Sequence, residues 1–106
     1  MIKKKVLAPD RVRCPGNGFA FIPHRFLTDG FLQLLSRHEL ALYLFLVLAS
    51  DKNGLSFYGD KTIRSILGLK DEEYAFARNN LIHKDLILHD GTLFQVLSLP
   101  SSVHYS

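Results

Sequence analysis

The residues best suited to recognition chemistry lie in the segment 68–87. An amide side chain can form two hydrogen bonds to adenine, so the adjacent Asn79 and Asn80 are suited to reading a base edge. The same segment opens with three acids at 71–73, whose carboxylates repel phosphate. Acids at a helix N-terminus also have a structural reason to exist, because each is stabilised there by about 0.3 to 1 kcal/mol. The sequence leaves open whether this segment reads bases directly.

Residues for other kinds of chemistry are sparse. Cys14, the single cysteine, lies in a Pro-Gly stretch, and the chain has neither a Gly-x-Ser-x-Gly elbow nor a glycine-rich phosphate loop. The histidines at 24, 38, 83, 89 and 104 have neither His-x-x-x-His spacing nor cysteine pairs beside them. We therefore expect no enzyme activity, no metal or other cofactor, and no small-molecule substrate. His83 and His89 are expected to be ordinary surface histidines.

Composition predicts a single domain. The chain of 106 residues is 47% hydrophobic, which is enough for one core. One cysteine cannot form an internal disulfide, and the first residues lack the apolar run of a signal peptide. The most apolar run, 40–49, is far shorter than the roughly 20 residues that span a bilayer, so it predicts a helix buried on most sides. We expect a cytoplasmic protein that does not enter a membrane.

Positive charge is concentrated at the start of the chain. Residues 1–25 carry six Lys and Arg against one acid, whereas the remaining 81 residues carry seven against nine. Proline and glycine within 1–18 predict an extended basic arm rather than a helix. Such an arm suits phosphate binding, although a basic terminus can equally serve solubility. The candidate phosphate-binding residues of the arm are Lys3, Lys4, Lys5, Arg11 and Arg13.

After the arm, the sequence predicts short elements and then a long helix. The apolar run 19–22 is expected to form a strand or to lie along the core. Pro23 and Asp29 are expected to begin two short helices, the second ending near residue 35. Ser36 begins a capping box of sequence S-R-H-E, which predicts a first long helix over 36–50.

Two further helices follow a tight turn at 51–54 and a short strand at 55–58. The periodicity predicts one helix from about 60 to 67 and another over 71–84, with Gly68 supplying the left-handed corner between them. The expected inward-facing residues are Ile63, Ile66 and Leu67 in the second helix and Tyr74, Ala77, Leu81 and Ile82 in the third.

The last element is predicted to be a β-hairpin, because residues 86–97 alternate and break at Asp90 and Gly91. A two-residue turn would place His89 opposite Thr92. Both faces of the hairpin carry hydrophobic residues, and one core needs a single face. The second hydrophobic face predicts a partner surface, most simply that of a homodimer. Alternatively, the arm, residues 19–22 or the tail covers this face within one chain.

This order of elements resembles a winged helix-turn-helix domain, most closely across 55–97. The matching positions are Gly68, Leu69, Tyr74, Ala77, Leu81, Leu86 and Ile87. The resemblance implies an α+β fold, with a three-helix core and a C-terminal two-stranded β-hairpin wing. The domain would cover 19–100, between the basic arm at 1–18 and a C-terminal tail at 101–106.

Four positions depart from that pattern. Lys70 replaces the usual capping serine, and Asp85 replaces the glycine that usually ends the third helix. Arg64 and Arg78 stand where small or apolar residues are usual. Lysine at position 70 is expected to weaken the N-terminal cap of the third helix. The arginines could reach solvent, phosphate or an acid.

The upstream half, 21–58, also resembles the leading half of winged-helix domains in bacterial plasmid replication initiators and in small proteins of mobile elements. The shared features are an Ile-Pro segment, a Leu-Ser helix start and an Asp-Gly turn, here I-P at 22–23, L-S at 35–36 and D-K-N-G at 51–54. This likeness implies a bacterial or mobile-element origin and a role in transcription regulation or DNA replication.

The resemblance implies that double-stranded DNA is the partner, bound by the start and outer face of the third helix. The residues carried over to that surface are Lys70, Glu72, Glu73, Ala75, Phe76, Asn79, Asn80 and His83. The candidates for holding phosphates beside it are Lys61, Arg64, Arg78 and Lys84. The alternative function is that of a protein-protein interaction module for dimerisation, because an outward Phe76 ring would be exposed to solvent in a monomer.

Overall fold

The structure is a computed structural model that describes residues 7–11, 13 and 20–101. The described helices are a 3-10 turn at Pro9–Arg11 and α-helices α1 (Arg25–Thr28), α2 (Phe31–Leu34), α3 (Arg37–Ala49), α4 (Asp60–Leu67) and α5 (Asp71–His83). The strands are β1 (Leu55–Ser56), β2 (Ile87–His89) and β3 (Phe94–Val96). Within the described ranges, no helix combines the length and apolar character needed to cross a membrane.

The arm is not extended throughout. Arg11 N donates to Ala8 O at 2.9 Å and closes the 3-10 turn at Pro9–Arg11, so the prediction of no helix is wrong for these three residues. Proline fixes its own φ near the helical value, which suits it to the first position of such a turn. Lys3, Lys4 and Lys5 lie outside the described residues.

Residues 20–22 lie on the core without forming a strand, and residue 19 lies outside the described residues. Ala20 and Ile22 pack against the core, while the side chain of Phe21 is 75% exposed. The start of α2 corrects the sequence prediction, because Gly30 with φ 86° is its N-cap and Asp29 is not. The Asp29 carboxylate instead accepts from Arg25 Nε at 2.6 Å, four residues back along α1.

The capping box of α3 is confirmed. Ser36 Oγ accepts from Glu39 N at 3.3 Å, and Glu39 Oε1 accepts from Ser36 N at 3.4 Å. The helix buries most of its circumference, as its apolar sequence predicts. The exception is a stripe through Leu44 and Leu48, which are 47% and 65% exposed.

The turn at 51–54 attaches the end of α3 to the sheet. Asp51 Oδ1 accepts from the backbone amides of Asn53 and Leu55, and Gly54 adopts φ 81°. A Cβ at Gly54 would lie 2.5 Å from Val96 O, so only glycine permits this approach of the turn to β3.

The corner between α4 and α5 is confirmed at Gly68, which has φ 67°. In α4, Ile63 is fully buried and Leu67 packs against the core, but Ile66 is 58% exposed. The prediction that Ile66 faces inward is therefore wrong. Around the helix axis, Ile63 and Leu67 are about 40° apart, whereas Leu67 and Ile66 are about 100° apart. The surface of α4 that packs on the core is narrow and includes Ile63 and Leu67 but not Ile66.

Helix α5 packs chiefly against α3. Its predicted inward residues are confirmed: Tyr74, Ala77 and Leu81 are buried, and Ile82 packs against the core. After the helix, Asp85 takes φ 66°, the left-handed conformation for which glycine is usual at this corner.

The three strands form an antiparallel sheet of order β1-β3-β2, so β3 is central. His89 pairs with Phe94 and Ile87 with Val96, which leaves the four residues 90–93 as the hairpin loop. The predicted two-residue turn is therefore wrong. Asp90 explains the longer loop, because its Oδ1 accepts from the amides of Thr92 at 3.1 Å and Leu93 at 2.9 Å.

The shift in register by two residues keeps each side chain on its predicted face. Ile87 and Phe94 are buried, whereas Leu88 on the outer face is 50% exposed. The helices close over the inner face. The buried hydrophobic residues of this single core are Phe26, Phe31, Leu42, Tyr43, Leu46, Val47, Ile63, Tyr74, Ala77, Leu81, Leu86, Ile87 and Phe94.

Candidate nucleic-acid interface

One stripe of α5 faces solvent along the whole helix. Its members recur at intervals of three or four residues and are Glu72, Phe76, Asn79 and His83. The Phe76 side chain is 67% exposed, so the sequence-based expectation of an outward phenylalanine agrees with its position. The stripe combines an amide, an imidazole and an aromatic ring, which together can form hydrogen bonds and apolar contacts with base edges.

The acids at the start of α5 are largely engaged within the protein. Glu73 Oε1 accepts from the backbone amide of Lys70 at 2.8 Å, which supplies half of a capping box. A lysine side chain has no acceptor, so it cannot supply the other half. Glu73 Oε2 also lies 3.8 Å from His38 Nε2, and Asp71 forms an ion pair with Arg64. Two of the three carboxylates therefore have partners on neighbouring elements.

A buried polar cluster fixes the C-terminal half of α5 against α3. Lys84 Nζ donates to Glu39 Oε1 at 2.5 Å and to Leu34 O at 3.3 Å, and Asn80 Nδ2 donates to Glu39 Oε2 at 3.0 Å. The Lys84 and Glu39 side chains are only 12% and 4% exposed. Burial raises the pKa of Glu39, but the hydrogen bonds from Lys84 and Asn80 outweigh it and leave the pKa below its ordinary value.

The opposite flank of α5 is fixed by Asp60 at the start of α4. Tyr74 donates its hydroxyl hydrogen to Asp60 Oδ1, and Arg78 Nη1 lies 3.7 Å from Asp60 Oδ2. The Arg78 guanidinium also lies over the Tyr74 ring, 5.6 Å from its centroid. Burial and the bond to Asp60 raise the pKa of Tyr74, so the phenol stays protonated. These contacts hold the helix at a fixed rotation.

His89 belongs to the same cluster. Its side chain is 10% exposed and its Nε2 lies 3.9 Å from Asp60 Oδ1. The ring stacks on Phe94 with the centroids 4.0 Å apart. The expectation that His89 is a surface histidine is therefore wrong. Strand alternation places it on the inner face with Ile87, and the register shift pairs it with Phe94 instead of Thr92.

The structure divides the predicted DNA-binding residues into three groups. Phe76, Asn79 and His83 share the exposed stripe of α5, and Lys61 and Lys70 are exposed at the starts of α4 and α5. Arg64, Arg78, Asn80, Lys84 and Glu73 make the internal contacts described above. Arg11 and Arg13 are exposed residues of the arm.

The burial of Lys84 bears most directly on its predicted role. A phosphate contact would require its ammonium group to leave Glu39 and the carbonyl of Leu34, which would leave a buried carboxylate uncompensated. Lys84 is therefore better suited to holding α5 in place than to binding phosphate. Asn80 is similarly constrained, because one of its amide hydrogens is directed at Glu39.

Three residues that the sequence did not single out as a site organise this surface: Glu39, Asp60 and His38. Glu39 was identified only as a capping residue, since the box S-R-H-E accounts for it locally. Its second role depends on residues more than forty positions away, for which the sequence carries no spacing signal. The Asp60 contacts likewise join residues from α4, α5 and the hairpin.

The described residues contain no group of three or more His, Cys, Asp or Glu side chains placed to hold a metal ion. A cavity with a volume of about 640 Å³ lies between 20–23, the turn at 51–54 and the segment 96–99. Tyr43 and Val47 also contribute to its wall. This cavity involves no residue of α5 and is separate from the exposed stripe.

Comparison of the chain with protein-family models, with curated proteins and with solved structures gave no match.

Proposed function

We propose that the chain is a winged helix-turn-helix protein that binds double-stranded DNA, as a transcription regulator or as an accessory of replication or of a mobile element. The supporting arrangement is α3, β1, α4, the Gly68 corner, α5 and the β2-β3 hairpin, in that order. In this class of protein, the helix after the corner enters the major groove and the hairpin forms the wing. Here β1 adds a third strand to the wing through its pairing with β3.

One observation carries the proposal: α5 presents an exposed recognition stripe while both of its flanks are fixed by internal polar contacts. Direct readout needs side chains on a helix whose position and rotation are fixed, because base-edge hydrogen bonds are directional. The contacts of Asn80 and Lys84 with Glu39 fix one flank. The contacts of Tyr74 and Arg78 with Asp60 fix the other.

The partners of Asp71 and Glu73 reduce the repulsion between these acids and phosphate, although the Asp71 side chain stays 81% exposed. The charges of Asp71 and Glu73 are offset by Arg64 and by the α5 N-terminus. Glu72 stays on the exposed stripe, where a carboxylate can accept from the amino group of cytosine. Under this proposal, the acids are a structural requirement of the helix start and Glu72 adds selectivity.

Phosphate affinity comes from the exposed lysines and from the arm. Lys61 and Lys70 precede the exposed stripe in the chain, at the starts of α4 and α5, and the arm contributes Lys3, Lys4, Lys5, Arg11 and Arg13. Each contact to phosphate releases counterions, so each basic residue adds affinity that falls as salt rises.

The test measures fluorescence anisotropy of labelled random-sequence duplex at rising salt concentrations. We expect the logarithm of affinity to fall linearly with the logarithm of salt concentration. Substituting Lys61→Ala or Lys70→Ala should reduce the magnitude of this slope by about 1 each. Lys52→Ala is the matched control, because Lys52 is an exposed lysine in the turn beside the end of β3, away from the hairpin tip.

Selection of duplexes from a random pool tests the stripe itself. Asn79→Ala should relax base preference at one position by about 1 to 3 kcal/mol, while Asn53→Ala, at an exposed asparagine of the 51–54 turn, should leave the preference unchanged. Absence of binding to any duplex at low salt would overturn the proposal.

A second function, protein-protein contact through α5, is favoured by two exposed apolar side chains. Phe76 on α5 and Ile66 on α4 are 67% and 58% exposed. Apolar groups of this size often mark partner surfaces. If this is the function, Phe76→Ser will abolish association with a protein partner and no salt-dependent binding to duplex will be found.

A further inference from the structure

The outward stripe of α3 is apolar at its centre and charged at its two ends. Ala41, Leu44 and Leu48 follow Arg37 at helical spacing, and Asp51 comes one residue after the C-cap Ser50. Arg37, Leu44, Leu48 and Asp51 are all exposed. The stripe faces away from the core residues Leu42 and Leu46.

Aromatic residues widen this stripe on one side. Phe57 and Tyr58 follow β1 and are 70% and 47% exposed. The Tyr58 ring packs edge-on against Phe45 of α3 with the centroids 5.3 Å apart. A shallow cavity of about 530 Å³, lined in part by Ala49, lies between the aromatic pair and the end of α3.

The exposed apolar area is close to what the centre of a dimer interface requires. Leu44, Leu48, Phe57 and Tyr58 together expose roughly 400 Å² of side chain. A stable interface buries about 800 Å² per partner and has an apolar centre within a polar rim. The four side chains would supply half of this area, and the surrounding polar residues the rest.

We propose that this α3 surface binds a second copy of the chain, with the two α3 helices antiparallel about a two-fold axis at Leu44. The charges favour this orientation. Arg37 begins α3 and the exposed Asp51 follows its C-cap Ser50, so an antiparallel pairing brings Arg37 of one copy towards Asp51 of the other, at both ends. A parallel pairing would instead oppose like charges.

The same axis places Leu48 of one copy level with Leu40 of the other, since residues whose numbers sum to 88 face one another, and the small Ala41 lies beside this contact. The Phe57 and Tyr58 rings flank the helix of the second copy. Asp51 Oδ1 accepts from backbone amides of its own turn. In the dimer, Asp51 Oδ2 can accept from Arg37 of the second copy.

Sedimentation equilibrium without DNA tests the proposal. The expected result is a reversible increase from 12.0 kDa to twice that mass with concentration. Leu44→Glu places two carboxylates on the axis and should weaken the dimer at least 100-fold. Leu88→Glu is the matched control, because Leu88 is similarly exposed, at 50% against 47%, on the outer face of the sheet.

The orientation is tested with charge variants. Arg37→Glu should weaken the dimer about tenfold, since it opposes Asp51 of the second copy. Adding Asp51→Asn to the same chain should restore much of the lost dimer affinity, because asparagine keeps the acceptor for the turn and removes the repulsion. Circular dichroism checks that each variant stays folded.

A wild-type chain that stays monomeric at millimolar concentration would overturn the proposal. So would a dimer that persists in Leu44→Glu but is lost in Leu88→Glu, and so would a dimer unaffected by Arg37→Glu. None of these measurements uses DNA, so their outcome is independent of the proposed DNA binding.

Discussion

Glu39 illustrates how a single buried side chain joins several elements. One of its oxygens accepts from Ser36 and Lys84, and the other accepts from Asn80. The pairing satisfies both charged groups in a place where neither could stay unpaired without a cost of several kcal/mol. The residue therefore links the start of α3 to the end of α5.

Ser56 presents the opposite case. It is 1% exposed, and its Oγ has no hydrogen-bond partner among the described residues. A buried hydroxyl without a partner retains its desolvation penalty. We therefore expect Ser56→Ala to leave the free energy of unfolding unchanged or to raise it by up to about 1 kcal/mol, as measured by urea unfolding.

A second serine provides the comparison for this prediction. Ser36 caps α3 through its side chain, so Ser36→Ala should lower the free energy of unfolding by about 1 kcal/mol. The expectation for Ser56 would be wrong if both alanine variants lost the same stability.

At the scale of elements, the turn at 51–54 decides where the sheet begins. It carries the chain from α3 to β1, and Val96 N donates to Gly54 O at 2.8 Å where the turn meets β3. The position of the sheet therefore depends on a backbone contact that leaves no room for a side chain.

We expect Gly54→Ala to lower the free energy of unfolding by about 3 kcal/mol or more, because it combines left-handed strain with a clash at Val96 O. Gly91→Ala is the matched substitution, since Gly91 has φ 98° and open space around it. It should cost about 1 kcal/mol. Equal losses in the two variants, measured by thermal and urea unfolding, would refute the role of the close contact.

At the scale of the whole molecule, acid should weaken the packing of α5 against α3. The native pKa of Glu39 lies below its ordinary value of 4.5, so its contribution is complete at neutral pH. As the pH falls below about 4.5 and through the lowered native value, Glu39 takes up a proton and the contribution is lost.

Unfolding free energies of the wild type and Glu39→Gln across pH 7 to 3 test this expectation. The variant should lose about 2 kcal/mol at pH 7, and the two curves should converge in acid. Glu72→Gln serves as the control, because Glu72 is an exposed acid of the α5 stripe. Curves that stay parallel down to pH 3 would show that Glu39 does not account for the acid sensitivity.

The dimer proposed through α3 would leave the α5 stripe for DNA, since the two stripes lie on different helices, and a two-fold protein would select a site with two-fold symmetry. Retention of DNA binding by a monomeric Leu44→Glu chain would show that each copy can bind by itself.

The order of the elements and most of their boundaries could be predicted from local sequence patterns. The capping box at Ser36, the corner at Gly68 and the inward residues of α5 were predictable, because caps, left-handed glycines and helical periodicity depend on neighbours within a few positions. The outward stripe through Phe76 and Asn79 follows from the same periodicity.

Which polar residues of that region remain available depends on contacts that form on folding. Lys84 and Asn80 share the helix with Asn79 and look equally suited to DNA, yet Glu39, more than forty residues earlier, engages them both. The hairpin register likewise depends on the hydrogen bonds of Asp90 and on the added strand β1. Contacts between distant residues leave no periodic trace in the chain, and the free energy of burying each charge depends on where its partner lies after folding.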